Sequence, residues 1–288
     1  MNAVSKLSLM PILLAIPFLG FAGAAGAEST IQTAAGIGTP GASGDGGAAA
    51  RASLNMPFDV TIDRAGNVYF SDTFNHSIRR IDGRTGRIST VAGSGKSGFS
   101  GDGGLATRAT LHEPYGVVLD ARNNLYVVDR LNRRVRRVDA RTGVISTVAG
   151  NGSKEYSGDG GPAVKAGLVE PNGIALDRDE KRLFIADVAG HRIRVVDLST
   201  GIISTFTGTG AAKHSGDGGP ARKAAIWGAR AVDVAPDGTV YILEREGNTL
   251  RAVEPQTGII VTVAGTGRKG FSGDGGPAKA ATFNGPKE

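Results

Sequence analysis

Short runs of β-branched and aromatic residues alternate with turn-forming residues along most of the chain. In the first set these runs occupy residues 57–63, 68–72, 77–82 and 88–93. Runs of this length, bounded by Gly, Asp and Asn, are typical of β-strands, and the Asp/Gly turns between them are typical of tight hairpins. Each set is therefore predicted to form four antiparallel strands.

The sets are copies of one repeat. The pentapeptide Ser-Gly-Asp-Gly-Gly recurs every 57 or 58 residues, beginning at Ser43, Ser100, Ser157, Ser215 and Ser272. A fixed period means that each unit buries its apolar surface against its neighbours. Tandem four-stranded units predict an all-β fold, a β-propeller, with a solenoid as the alternative. Complete copies are predicted near residues 54–93, 111–150, 168–208 and 226–265.

The first three strands of each copy resemble NHL repeats. Their pattern is Pro-x-Gly-Val/Ile-x-Leu-Asp, then Val/Leu-Tyr-Val-x-Asp, then Asn-His-x-Ile-Arg, most fully present in residues 57–82 and 171–197. The resemblance covers nearly all of the chain after residue 30 and implies a propeller of four-stranded antiparallel blades. For function it implies a platform, since NHL propellers serve as RNA-binding, sensor or adhesion domains and, in one lyase branch, as a zinc enzyme. The Gly-Asp-Gly-Gly linkers resemble those of secreted bacterial proteins and of teneurin-type adhesion propellers.

Residues 1–27 are predicted to be a signal peptide. Lys6 precedes an apolar stretch, residues 7–21, that is shorter than the ~20 residues of a membrane span. Ala25 and Ala27 supply the small residues of a cleavage site. Residues 28–288 are then the NHL-repeat domain, secreted or periplasmic, without membrane insertion after signal cleavage. An uncleaved anchor is the alternative.

The repeat pattern also predicts that the propeller is incomplete at the C-terminus. Residues 31–36 match the fourth-strand sequence of residues 88–93, whereas residues 283–288 match the start of a first strand and break off there. Because radial repeats need their edges protected, we expect four complete blades plus partial ones from a truncated five- or six-bladed ring. A gap or an unpaired strand is expected near residues 31–36.

Arginine is concentrated in the third strands and accounts for much of the formal net charge of +6. Arg79, Arg80, Arg136 and Arg137 belong to this stripe. A basic stripe fits a phosphate polymer, but charge on the outer part of a blade is also typical of a soluble sheet edge. Because export argues against RNA, no nucleic-acid partner is predicted.

The acidic residues and histidines are interpreted as structural. The aspartate of each linker pentapeptide is predicted to be a turn or cap residue, because one carboxylate per loop is too few for calcium, which takes about 6–8 oxygens. The acid that closes each second strand is predicted to accept backbone hydrogen bonds in the turn between the second and third strands. His76 and His191 share one turn in copies one and three, so a convergent zinc set is not expected. The sequence also lacks cysteine, and no cofactor is predicted.

A binding site is expected where the copies differ. The position at the start of each first strand is occupied by Phe58, Tyr115, Asn172 and Arg230, which are predicted to line the mouth of the central opening on the linker face. Two aromatic rings, an amide and a cation suit a carbohydrate, a peptide or an anionic ligand. A plug of ordinary side chains is the alternative.

The sequence favours a secreted, non-catalytic ligand- or protein-binding module. Its partner is expected to be an unknown extracellular or periplasmic protein or carbohydrate. The alternative is a propeller enzyme, a metal-dependent lyase or lactonase-like hydrolase with its site at the central channel. Asp59 and Asn172 are the channel acid and amide that the sequence offers for such chemistry.

Overall fold

The computed structural model describes residues 31–287. The predicted signal peptide, residues 1–27, lies outside the described residues. Ala34–Glu288 form one compact unit, and its described residues build four antiparallel sheets. Three sheets have four strands in sequence order, and the fourth has four such strands and one short additional strand at its edge. This confirms the predicted β-propeller architecture, and each sheet is one blade.

The strands have the following bounds. Blade one contains β1 (Pro57–Ile62), β2 (Val68–Asp72), β3 (Ser77–Ile81) and β4 (Ile88–Ala92). Blade two contains β5 (Pro114–Leu119), β6 (Leu125–Asp129), β7 (Arg134–Val138) and β8 (Ile145–Ala149). Blade three contains β9 (Pro171–Leu176), β10 (Arg182–Asp187), β11 (Arg192–Asp197) and β12 (Ile202–Thr207). Blade four contains β14 (Ala229–Val234), β15 (Val240–Glu244), β16 (Thr249–Val253) and β17 (Ile259–Ala264), with the short β13 (Gly219–Pro220) paired to β17.

Each blade packs on the next through the linker between them. Between blades two and three, Val128 and Val135 contact Ile174 and Ile185, and the linker inserts Leu168 into the same cluster. Ala163 and Ala166 of the linker are buried there too. Five of the short 3-10 helices in the described residues lie in these linkers: Ala49–Arg51, Ala106–Arg108, Ala163–Lys165, Ala221–Lys223 and Ala278–Ala280. The sixth, Thr73–Asn75, forms the turn between β2 and β3. Packing between blades, as predicted, supplies the core.

The prediction that the third-strand arginines form an exposed stripe is wrong for every second one. Arg79, Arg136, Arg194 and Arg251 are at most 2% exposed, because successive residues of a strand face opposite sides of the sheet and these four face the neighbouring linker. Arg80 and Arg137 lie on the other face and are 28% and 29% exposed at their side chains.

The linker aspartates hold these buried arginines and do not cap helices. Asp45, Asp102, Asp159 and Asp217 each accept a hydrogen bond from a guanidinium at 2.6–2.7 Å. The 3-10 helices that follow begin after Ala48, Leu105, Pro162, Pro220 and Pro277, and none of these five has a side-chain cap. The turn half of the prediction is confirmed, because each of these aspartates lies in a Gly-Asp-Gly-Gly turn that is closed by a backbone hydrogen bond, such as the 2.9 Å bond from the Gly47 amide to the Gly44 carbonyl. The cap half is wrong, since the buried cation takes the carboxylate.

The acids that close the second strands complete the network. Asp72, Asp129 and Glu244 lie 3.1–3.2 Å from the arginine of their own blade. As predicted, they also accept backbone hydrogen bonds, such as the 2.7 Å bond from the His112 amide to Asp129, although the donors lie ahead of the first strand and not in the expected turn. Each buried guanidinium thus joins one blade to the linker that precedes it.

Residues 31–36 form no β-strand, and the Gly36 amide donates to the Ala49 carbonyl at 3.0 Å. Within the part of the chain that the structure describes, no helix is both long and apolar enough to cross a bilayer. The expectation of a ring truncated at the C-terminus stays a prediction.

Candidate functional site

The first strands of the four blades surround a cavity of about 550 Å³. β1, β5, β9 and β14 all contribute to its wall. The lining is mostly aliphatic, with Val60, Val117 and Ile174 as examples, and it carries the carboxylates of Asp59 and Asp233. The cavity lies between the first strands, where the repeat pattern predicts the central channel, and Tyr241, Leu243 and Leu250 of blade four also line it. Its lining does not include the four residues predicted at the channel mouth.

Phe58, Tyr115 and Arg230, three of the four residues predicted at the channel mouth, contact one another. The rings of Phe58 and Tyr115 stack at 4.1 Å between centroids with an angle of 15° between their planes. The guanidinium carbon of Arg230 lies 4.9 Å from the Phe58 centroid and 5.6 Å from the Tyr115 centroid. The structure therefore brings residues of blades one, two and four to one point. "Channel mouth" below means Phe58, Tyr115, Asn172 and Arg230.

An irregularity in each first strand places these side chains. The pairing register with the second strand shifts between Pro57 and Val60, between Pro114 and Val117, and between Ala229 and Ala231. A β-bulge at such a point turns a side chain away from the regular alternation, and bulges are common beside functional sites. Phe58, Tyr115 and Arg230 lie within these irregular segments, and Tyr115 also packs against the apolar cluster between blades two and three.

Arg230 is a buried cation without an acidic partner among the described residues. It is 8% exposed, its side chain makes no hydrogen bond or ion pair within residues 31–287, and its Nε is buried without an acceptor. The four buried third-strand arginines, by contrast, each hold at least one carboxylate. Contact with two aromatic faces offsets part of the cost of burying the charge, but it leaves the donors at the edge of the guanidinium unused. Such an edge is suited to an anion.

Asn172, the fourth residue of the mouth, is fully buried. Its Nδ2 donates to the carbonyl of Glu170 at 3.1 Å, and its Oδ1 has no donor among the described residues. Among the described residues, the Asn172 Oδ1 acceptor and the Arg230 cation therefore both lack a polar partner. They lie at corresponding positions of blades three and four, which are neighbours.

Arg130 belongs to the same cluster and was not predicted from the sequence. Its guanidinium carbon lies 4.6 Å from the Tyr115 centroid, and it pairs with Glu113 at 2.9 Å and Glu170 at 2.6 Å. The signal was available, because this position also differs between copies, with Thr73, Val188 and Arg245 as the corresponding residues. Arg130 already has two carboxylates, so Arg230 is the cation left for a ligand.

Asp59 holds the wall of the channel together. Its Oδ2 accepts from the Val117 amide of the next blade at 2.8 Å and its Oδ1 from the Val60 amide at 2.7 Å. Burial raises the pKa of Asp59 above its ordinary value, although these two amides act in the opposite direction. The other copies have Gly116, Gly173 and Ala231 at this position, so the carboxylate is a property of blade one.

Two of the four histidines connect blades. The Nδ1 atoms of His76 and His191 accept hydrogen bonds from the amides of Glu113 and Gly228 at 3.2 Å. His214 lies 3.1 Å from Glu244 in the linker of blade four. Residues 31–287 contain no group of three or more His, Asp or Glu side chains arranged to hold a metal ion.

Comparison with known proteins gives relatives with the same repeat. No family model matches the chain. It is 28% identical over 244 residues to Protein SUPPRESSOR OF QUENCHING 1, chloroplastic, from Arabidopsis thaliana, covering 82% of this chain and 23% of that protein. It is 26% identical to NHL repeat-containing protein 2 from Gallus gallus, with 87% and 38% covered, and 32% identical to Teneurin-1 from Mus musculus, with 73% and 8% covered. The chain spans less than two fifths of each of these relatives.

Among solved structures, an auxiliary nutrient binding protein from Bacteroides ovatus aligns with a TM-score of 0.56. The identity is 14%, and the alignment covers 81% of this chain and 53% of that one. At this identity the likeness concerns the fold.

Proposed function

We propose that this chain, which belongs to the NHL-repeat β-propeller family, is a non-catalytic binding module that holds an anionic ligand at its channel mouth. The proposal depends on Arg230, whose buried guanidinium has no acidic partner among the described residues. A buried cation is costly unless it is paired, and a bound anion is the partner that this position lacks.

The chemistry of the mouth favours a carboxylate attached to a larger body. A guanidinium donates two parallel hydrogen bonds to a carboxylate in a planar arrangement. The rings of Phe58 and Tyr115 beside it offer apolar area to the rest of the ligand, as aromatic residues do in many binding sites. An acidic sugar, or an acidic side chain of an extracellular protein, has both a carboxylate and a larger body that can contact the rings.

Replacing Arg230 is expected to weaken this binding selectively. Charged hydrogen bonds contribute about 1.5–3 kcal/mol, so Arg230→Gln should weaken binding of an acidic probe by at least about tenfold. The measurement is isothermal titration calorimetry with glucuronate and galacturonate, and with neutral glucose and galactose for comparison. Arg222→Gln is the matched control, because Arg222 is exposed in the same blade and its replacement removes the same charge.

Two results would count against the proposal. If neither uronate binds more tightly than its neutral sugar, or if Arg230→Gln binds them as well as Arg222→Gln does, the mouth is not an anion site. Turnover of a lactone or lyase substrate that is lost on chelation would instead support the catalytic alternative at the channel.

We further propose that the protein acts outside the cytoplasm, since residues 1–27 have the pattern of a cleaved signal peptide. Expression of the full chain in a bacterial host should give an exported protein whose N-terminus is Glu28. Mass spectrometry of the periplasmic and cytoplasmic fractions measures this. Protein that keeps Met1 in either fraction would contradict cleavage.

A further inference from the structure

The residue before each Ser-Gly-Asp-Gly-Gly pentapeptide is aromatic in most copies. It is Phe99, Tyr156, His214 and Phe271 in four linkers, whereas the first linker has Ala42. In the second and third blades this ring covers arginines of the third strand. The first blade therefore lacks a side chain that its neighbours use.

The third blade shows what the ring does. Tyr156 lies with its centroid 3.7 Å from the guanidinium carbon of Arg192 and 4.7 Å from that of Arg194. Its hydroxyl donates to Asp159 at 2.8 Å and lies 2.9 Å from Thr205 Oγ1. Phe99 occupies the same place in blade two, 3.8 Å and 4.8 Å from the guanidinium carbons of Arg134 and Arg136.

Blade one has a cavity at this place. Ala42 stands where the ring would be, and Ser77 replaces the first of the two arginines. The cavity has a volume of about 420 Å³ and is lined, among others, by Arg79, Asp45 and Thr90. These three correspond to Arg194, Asp159 and Thr205, so the groups that contact Tyr156 in blade three are present in blade one except for the counterpart of Arg192. We call this space the first-blade cavity.

We propose that the first-blade cavity binds a phenolic ring, either a free phenol or the side chain of a tyrosine on a partner peptide. The hydroxyl would donate to the exposed carboxylate of Asp45 and contact Thr90, as the hydroxyl of Tyr156 does with its own pair. Contact with Arg79 adds attraction between a cation and a ring. The site lies at the linker of blade one and is independent of the channel mouth.

The test uses the mature protein and p-cresol, the free molecule that corresponds to a tyrosine side chain. A ¹H–¹⁵N NMR titration should shift the amides of residues 42–45, 77–79 and 90, and toluene should bind at least about tenfold more weakly because it lacks the hydroxyl. Ala42→Tyr should fill the cavity with the chain's own ring, raise the melting temperature and weaken p-cresol binding at least about tenfold. Ala42→Ser is the matched control and should bind as the wild type does.

The binding results either contradict the proposal or identify the source of the phenolic ring. If p-cresol shifts none of these amides, or binds Ala42→Tyr as tightly as Ala42→Ser, the proposal is wrong. Equal affinity of N-acetyltyrosine amide and p-cresol would support a tyrosine side chain as the source, and binding of p-cresol alone would support a small phenol. Should Ala42→Tyr fail to fold, Thr90→Val provides the second test, and its p-cresol affinity should fall toward that of toluene.

Discussion

Arg136→Ala is expected to lower the free energy of unfolding by about 3–5 kcal/mol, the usual cost of removing one partner from a buried ion pair. Arg136 is fully buried and donates to Asp129 at 3.2 Å, to Asp102 at 2.7 Å and to the carbonyl of Ser100 at 3.1 Å. Its loss leaves the buried carboxylate of Asp129 without a cation and frees the linker from blade two. Urea denaturation followed by circular dichroism measures the change.

The matched control is the next residue along the same strand. Arg137 points to the opposite face and pairs with Asp139 at 3.3 Å, with both side chains about 30% exposed (29% and 31%). Exposed ion pairs contribute at most about 1 kcal/mol, so Arg137→Ala should cost no more than that. Similar losses for the two variants would mean that the buried network does not stabilise the fold in the way its geometry suggests.

The strands were predictable from the sequence. Which arginines of the third strand are buried and which are exposed was not. The repeat period and the runs of β-branched residues predict the bounds of each blade to within a few residues. The arginines were interpreted as exposed because charge on the outer part of a blade is typical of a soluble sheet edge, and no local pattern marks their partners. Asp45 precedes Arg79 by 34 residues, and only folding of the linker onto the blade brings the two charges together.

The four candidate residues of the channel mouth could be chosen from the sequence because they lie where the repeats differ, and their role as a ligand site stays a prediction. Residues common to all copies are needed to build blades, so Phe58, Tyr115, Asn172 and Arg230 are left as a varied set on strands that converge. Their mutual stacking was not predictable, since it depends on the shift of register in each first strand. Arg130 was missed because it follows a second strand and reaches Tyr115 across the turn.

Gly150→Ala is expected to lower the free energy of unfolding by about 3 kcal/mol or more. Gly150 has a φ of +91°, where an L side chain is strained, and a Cβ built on it would lie only 2.2 Å from the carbonyl oxygen of Arg133. Strain of the backbone costs about 1–3 kcal/mol, and forcing atoms into a packed site costs a similar amount. The linker leaves β8 here, and the Gly150 amide donates to Ala163 at 2.9 Å, so the backbone has little freedom to yield.

Gly160→Ala separates the two contributions. Gly160 has a φ of +79°, but no atom lies within 4 Å of the position that an alanine methyl would occupy there. Only the backbone strain remains at this residue, about 1–2 kcal/mol. The difference in unfolding free energy between the two variants, measured in urea, therefore reports the contact between the linker and the turn before β7. Because a Cβ on Gly93 or Gly208 would approach the backbone oxygens of His76 and His191 at 2.2 and 2.3 Å, the same substitution should be as costly in blades one and three. If Gly150→Ala and Gly160→Ala lowered the free energy of unfolding equally, the turn before β7 would have to shift to make room for the new methyl group. The junction between the blades would then be more flexible than this close approach of backbones implies.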